Sequence, residues 1–155
     1  MKKVSLLFLA VGAILMGCSD KDNNLSKPEI HVENVTPAVT SDSVCDHLVD
    51  NVIIAHQSET LAFTFHLVGE NELSQLKIDI HENSDCHDHD HAHKTVPFET
   101  IIIKELSGTE VHLTESIVIP ADAKESNYHV DIKLLDKLGN EGETVEYHLV
   151  IHGSH

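Results

Sequence analysis

The sequence has 155 residues, 41% hydrophobic and 23% charged, which suits one packed domain and excludes a multidomain enzyme or an α/β barrel. Its formal net charge is -16, from 26 acidic residues against 10 basic residues, all of them lysine. This charge disfavours nucleic acids and polyanionic substrates, because phosphate binding needs clustered basic residues. The chain also has 14 histidines, and neutral imidazole is the most common metal ligand.

Residues 1–17 have the layout of a secretory signal peptide. Two lysines precede residues 4–16, which are almost entirely apolar and too few to span a membrane. Residues 15–18 read Leu-Met-Gly-Cys and resemble the bacterial lipobox. The resemblance predicts cleavage before Cys18 and acylation of that cysteine, and the alternative is an ordinary signal peptide that contains a cysteine.

The segment after the predicted cleavage point indicates where the protein resides. Residues 18–27 are polar and without periodicity, so we expect a flexible tether between the lipid and the domain. The tether lacks the aspartate directly after Cys18 that often retains lipoproteins at the inner membrane. The expected location is therefore the bacterial outer membrane, on its periplasmic or cell-surface side, with the membrane itself as a partner through the lipid.

Alternating apolar and polar residues predict a series of short β-strands within residues 28–152. The alternation is clearest at 61–68 and 76–81, whereas 44–54 alternates poorly and is expected to be irregular. Further strands are predicted at 28–35, 98–106, 111–119, 128–135 and 144–151. About seven strands at this spacing predict an all-β, immunoglobulin-like antiparallel β-sandwich, with a polar loop at 82–96.

Two cysteines remain for the folded domain in an oxidising compartment. One interpretation is a disulfide between Cys45 and Cys86 that closes a loop of roughly forty residues and stabilises by about 3–4 kcal/mol. The other interpretation makes Cys86 a metal ligand, because it directly precedes His87. The sequence leaves both open.

The predicted loop is dense in histidine. Its histidines alternate with other residues, so an extended chain would place all the imidazoles on one side. The candidate metal ligands of this loop are Asp85, His87, His89, His91 and His93. Imidazoles with nearby carboxylates suit zinc first, with copper and nickel as alternatives. A solvated low-complexity loop with weak, unselective affinity is the competing interpretation.

Strand parity predicts a second group of histidines on one outer face of the sandwich. The strand ending at His81 and the strand containing His129 correspond to strands C and F of immunoglobulin-like folds, which are antiparallel neighbours. His81 and His129 then lie side by side, because the alternate isoleucines and valines of both strands face the core. Asp79 shares this face, and the last strand adds His148 or His152. With donors from the loop, these residues form a candidate site of three or four ligands.

Several motifs resemble an uncharacterised family of short bacterial lipoproteins with a single immunoglobulin-like domain. Residues 78–87 read I-x-I-H-x-N-x-D-x-H, and residues 119–140 contain I-P-x-x-A, then Y-H, then D-x-x-G-N. His66 and His112, which strand parity also pairs as a lower-ranked metal site, fall where that family tends to place histidine. The resemblance implies the fold and the lipid anchor, and it implies no established activity.

The sequence favours a binding protein over an enzyme. It has no H-E-x-x-H, no G-x-S-x-G and no glycine-rich phosphate loop. The leading hypothesis is a non-enzymatic, lipid-anchored metal-binding protein that captures, buffers or delivers zinc at the outer membrane. The alternative is an immunoglobulin-like interaction or scaffold module of a cell-surface or periplasmic complex, in which the histidines are incidental. A metal-dependent hydrolase ranks third.

Overall fold

A computed structural model describes residues 26–44, 47–83 and 97–153. The described residues form nine strands: β1 (Glu29–Thr36), β2 (Val39–Val44), β3 (His47–His56), β4 (Thr60–Val68), β5 (Leu73–Glu82), β6 (Thr100–Glu105), β7 (Glu110–Val118), β8 (Ser126–Asp136) and β9 (Val145–His152). They build a three-stranded sheet in the order β1-β4-β7 and a six-stranded sheet in the order β2-β3-β9-β8-β5-β6. The all-β sandwich predicted from the sequence is confirmed, with nine described strands rather than about seven.

The core lies between the two sheets, and it is built from every second residue of the central strands. The buried side chains include Leu61, Phe63, Phe65, Leu67, Ile78, Ile80, Tyr128, Val130, Ile132, Tyr147, Leu149 and Ile151. Because successive side chains of a strand point to opposite faces, the intervening residues face solvent. This parity decides where the strand histidines lie.

The stretch 44–54 differs from its prediction, since most of it belongs to β3. Strand β2 is exposed along nearly its whole length and therefore shows no apolar alternation. In β3 the alternation of buried and exposed residues is interrupted at Asn51, where the register with β2 shifts. Asn51 adopts a φ of 61°. Such a bulge moves the following side chains to the opposite face. Strand β3 then pairs with β9 in parallel, so the six-stranded sheet is mixed rather than wholly antiparallel.

The turn after β8 explains the D-x-x-G-N motif. The Asp136 carboxylate accepts hydrogen bonds from the backbone N–H groups of Leu138 and Asn140 and from the side chains of Asn140 and Asn71. Gly139 adopts a φ of 86°, which disfavours residues with a side chain. Burial by itself raises the pKa of Asp136, but these hydrogen bonds hold it below its ordinary value.

Tyr128, the third residue of β8, forms a tyrosine corner near the beginning of this strand. Its hydroxyl donates to the carbonyl oxygen of Lys124 (2.8 Å) and accepts from the backbone N–H of Phe98 (3.3 Å). The ring is fully buried. This corner positions the strand that carries His129.

Replacing Tyr128→Phe should lower the free energy of unfolding by about 1–3 kcal/mol, because two backbone groups lose their partner while packing is kept. Urea unfolding followed by circular dichroism measures the change. The matched control is Tyr147→Phe, since Tyr147 is also buried but its hydroxyl makes no hydrogen bond within the described residues. Equal costs for the two variants would contradict the role of the corner.

Across the described ranges, the chain contains no helix with the length and apolar content that crossing a membrane requires.

Candidate metal centre

Three imidazoles form a row across the outer face of the six-stranded sheet. The register pairs His81 of β5 with His129 of β8, and His129 with His148 of β9. Ring centroids are 5.6 Å apart in the first pair and 5.1 Å apart in the second. The strands therefore bring together the neighbours that parity predicts, with His148 as the contribution of the last strand.

Two of these histidines and one carboxylate converge most closely, and we call them the β8–β9 cluster (His129, Glu146 and His148). One ligand atom from each lies within 4.8 Å of the other two, and His129 Nδ1 is 2.9 Å from Glu146 Oε1. Zinc bonds of about 2.0–2.1 Å in a tetrahedral site place neighbouring donors about 3.3 Å apart. The cluster thus reaches ligand spacing with small side-chain movements.

Among the described residues, one nitrogen of the cluster has no hydrogen-bond partner. His148 Nδ1 is buried and makes no hydrogen bond within the described residues. A buried polar atom left in this state costs about 1–3 kcal/mol. His129 beside it is also well covered, with 22% of its side chain exposed. A metal ion bound through Nδ1, or a proton donor brought to this atom, would satisfy it.

A row of carboxylates lies beside the imidazole row on the same face of the sheet. Each carboxylate is two residues away from the histidine of its own strand. Asp79 pairs with Asp131, and Asp131 pairs with Glu146. Asp79 Oδ1 lies 3.5 Å from His81 Nδ1. The hydrogen bond that Lys77 donates to Asp79 (2.8 Å) lowers the pKa of Asp79 despite partial burial. Carboxylates in this position can orient the imidazoles, as they do around bound zinc.

His152, the alternative candidate of the last strand, falls outside this cluster. It lies four residues beyond His148, about 13 Å along an extended strand. It pairs instead with His56 of β3, with ring centroids 5.9 Å apart. His56 in turn lies beside Glu59, at 3.5 Å.

The outer face of the three-stranded sheet carries a second cluster, the β4–β7 cluster (His66, Glu110 and His112). The rings of His66 and His112 are parallel within 4°, with centroids 4.2 Å apart. Glu110 Oε1 lies 2.9 Å from His66 Nε2 and 3.8 Å from His112 Nε2. His31 of β1 pairs with His66 on the other side, with ring centroids 5.6 Å apart. The strands pair His66 with His112, as strand parity predicts, and also bring His31 beside His66, which strand parity alone does not predict.

Glu110 and Glu146 are not among the ligands predicted above, although the sequence contains a signal for them. The pattern acidic–x–His occurs in the strands at 29–31, 79–81, 110–112 and 146–148. In a strand, this spacing puts the carboxylate and the imidazole on the same face. The repeat therefore predicts Glu110 and Glu146 as neighbours of His112 and His148.

Other predicted residues lie outside the described part of the chain. They are the lipidation candidate Cys18, the cysteines Cys45 and Cys86, and the loop ligands Asp85, His87, His89, His91 and His93.

The family follows from a match that covers most of the sequence. A family model for a domain of unknown function, DUF4625, matches residues 16–152. The chain belongs to this family. The resemblance to an uncharacterised single-domain family is thereby confirmed. A search of curated proteins finds no significant match to this DUF4625 protein.

Several solved structures are similar to this DUF4625 domain at low identity. A variant of the SrpA adhesin from Streptococcus sanguinis is 10% identical, with 84% of this chain and 60% of that chain covered and a TM-score of 0.47. The sialic acid binding region of a Streptococcus sanguinis SK1 adhesin, bound to 3'sLn, is 12% identical, with 84% and 31% covered and a TM-score of 0.48. A family 123 glycoside hydrolase from Clostridium perfringens is 11% identical, with 84% and 27% covered and a TM-score of 0.44. The chain spans less than two thirds of the length of each.

Proposed function

We propose that this protein binds a transition-metal ion, zinc foremost, at the β8–β9 cluster. It captures, buffers or delivers the ion at the outer membrane, to which a lipid on Cys18 anchors it. The observation that supports the proposal is the convergence of His129, Glu146 and His148, in which one imidazole nitrogen is buried without a hydrogen-bond partner within the described residues. His81 and the loop histidines are the candidate additional ligands.

The ligand chemistry supports zinc over the hard cations. Two imidazoles and one carboxylate are a set that zinc accepts with a fourth position open, whereas magnesium and calcium prefer oxygen ligands. Copper and nickel also accept imidazole and are the alternative ions. An open fourth position lets an ion exchange with a donor or an acceptor, which suits capture and delivery.

Isothermal titration calorimetry of the full chain with Zn²⁺, Cu²⁺ and Ni²⁺ tests the proposal. We expect a sub-micromolar Kd, corresponding to about -8 kcal/mol or better. The Kd should survive when His87, His89, His91 and His93 are all changed to Ala. It should weaken at least about 10–100-fold in His129→Gln with Glu146→Gln. His47→Gln is the matched control, because His47 is an exposed strand histidine outside both clusters.

Two results would overturn the proposal. Binding that disappears only in the loop variant would mean that a flexible loop, and not the sheet, holds the ion. A Kd weaker than about 0.1 mM in the unaltered chain, or about -5.5 kcal/mol, would leave the immunoglobulin-like interaction module as the better explanation.

A further inference from the structure

We infer that the chain has a second, separate metal site on the three-stranded sheet, formed by the β4–β7 cluster and positioned by Glu33 of β1. The inference rests on the proposed function in treating the protein as a metal binder, and it extends that function to two ions held by strands. The ligand class is a divalent ion that accepts imidazole and carboxylate, with Zn²⁺ as the probe.

The donor atoms of the β4–β7 cluster lie close to the spacing of zinc ligands. The two imidazole nitrogens lie 2.9 and 3.8 Å from the same Glu110 oxygen, and these distances bracket the spacing of about 3.3 Å that a tetrahedral zinc site requires. Both Nε2 atoms approach this one oxygen, so the cluster is already arranged around a common point. His31 stands next in the row as a candidate fourth ligand.

Both ring nitrogens of His112 face a carboxylate. Its Nδ1 lies 3.9 Å from Glu33 Oε1, while its Nε2 lies 3.8 Å from Glu110 Oε1. An imidazole that binds a metal through one nitrogen usually donates its other N–H to a carboxylate. Glu33 lies beside this second nitrogen and needs a shift of about 1 Å to accept its N–H, so strands β1, β4 and β7 would all contribute to the site.

Three glutamates of this sheet carry negative charge that no lysine pairs with in the described structure. Every ion pair that the described structure gives to Glu29, Glu33 and Glu110 is to a histidine. A neutral imidazole leaves the negative charge of these glutamates uncompensated, and a divalent cation would compensate it. The carboxylate row on the other sheet differs, since Lys77 pairs with Asp79 there.

The two sites should act independently because they lie on opposite outer faces. Two packed sheets are about 10 Å apart, and an apolar core separates them here. The second site is also more open. Its side chains are 29% exposed at His66, 63% at Glu110 and 59% at His112. In the β8–β9 cluster, the side chains of His129 and Glu146 are 22% and 52% exposed, and one nitrogen of His148 is buried. The second site should therefore bind Zn²⁺ more weakly and exchange it faster than the β8–β9 cluster.

The test counts Zn²⁺ ions by equilibrium dialysis and calorimetry on the full chain with all four loop histidines changed to Ala. We expect two ions per chain in this background. One ion should remain in His129→Gln with Glu146→Gln, and one in His66→Gln with His112→Gln. Removing both clusters should leave none. The control His56→Gln, from an imidazole pair outside both clusters, should keep two.

A separate variant and a separate readout guard against simple misfolding. Glu33→Gln should weaken only the second ion, by about 10–100-fold, because it alters the orientation of His112 and no donor. Zn²⁺ should also shift the imidazole ¹H–¹⁵N signals of His66 and His112 in the unaltered chain. A single ion per chain would overturn the second site if the β8–β9 double variant loses this ion and the β4–β7 double variant keeps it. The proposed function would then still stand. No ion in any variant, nor in the unaltered chain, would overturn both.

Discussion

Saturating Zn²⁺ should raise the free energy of unfolding of this chain by about 2.7 kcal/mol per site when the free ion is 100-fold above the Kd of that site. The reason is that an ion held by His129, Glu146 and His148 needs two strands in register, and these strands separate on unfolding. Urea unfolding with and without Zn²⁺, followed by circular dichroism, measures the shift.

The same measurement separates the strand sites from the histidine-rich segment 87–93, for which the sequence predicts a loop. A loop that binds metal without needing the fold binds it in the unfolded chain as well, and such binding gives little net stabilisation. Changing His87, His89, His91 and His93 to Ala should therefore leave most of the shift in place. His129→Gln with Glu146→Gln should remove the contribution of that cluster, and His47→Gln should keep it. A shift that vanishes only with the loop variant would contradict a folded site.

The parts of the fold that the sequence predicts well are those with one buried face. Strands β4, β5, β8 and β9 alternate core and solvent residues, so both their positions and their outward faces are readable. Strand β2 is almost wholly exposed and β3 has a bulge at Asn51. Neither strand has a regular alternation of buried and exposed residues, so the sequence pattern does not predict this hairpin.

The sequence likewise predicts one part of the candidate sites and not the other. The adjacency of His81, His129 and His148 follows from parity together with the strand order of immunoglobulin-like folds. The adjacency of His31 and His66 requires the register between β1 and β4, which shifts between Val32 and Asn34. That shift depends on how two distant segments pack, and a local pattern does not contain it.

Truncating Phe65→Ala should lower the free energy of unfolding by about 3–5 kcal/mol, through lost burial and the cavity left behind. Phe65 is fully buried in β4 and stacks on Phe63, with ring centroids 5.9 Å apart. It directly precedes His66, so the packing of this ring against the core holds the opposite face, with its imidazole, in place.

Chemical denaturation of Phe65→Ala beside Val118→Ala gives the comparison, since Val118 is 65% exposed and its truncation should cost less than about 0.5 kcal/mol. If Phe65→Ala still folds, saturating Zn²⁺ should recover part of the lost stability, because an ion bound by His66 and its neighbours ties β4 to β7 from the outer side. A cost below about 1 kcal/mol would place Phe65 outside a close-packed core. It would also remove the physical reason for expecting the imidazoles of the three-stranded sheet to be held at ligand spacing.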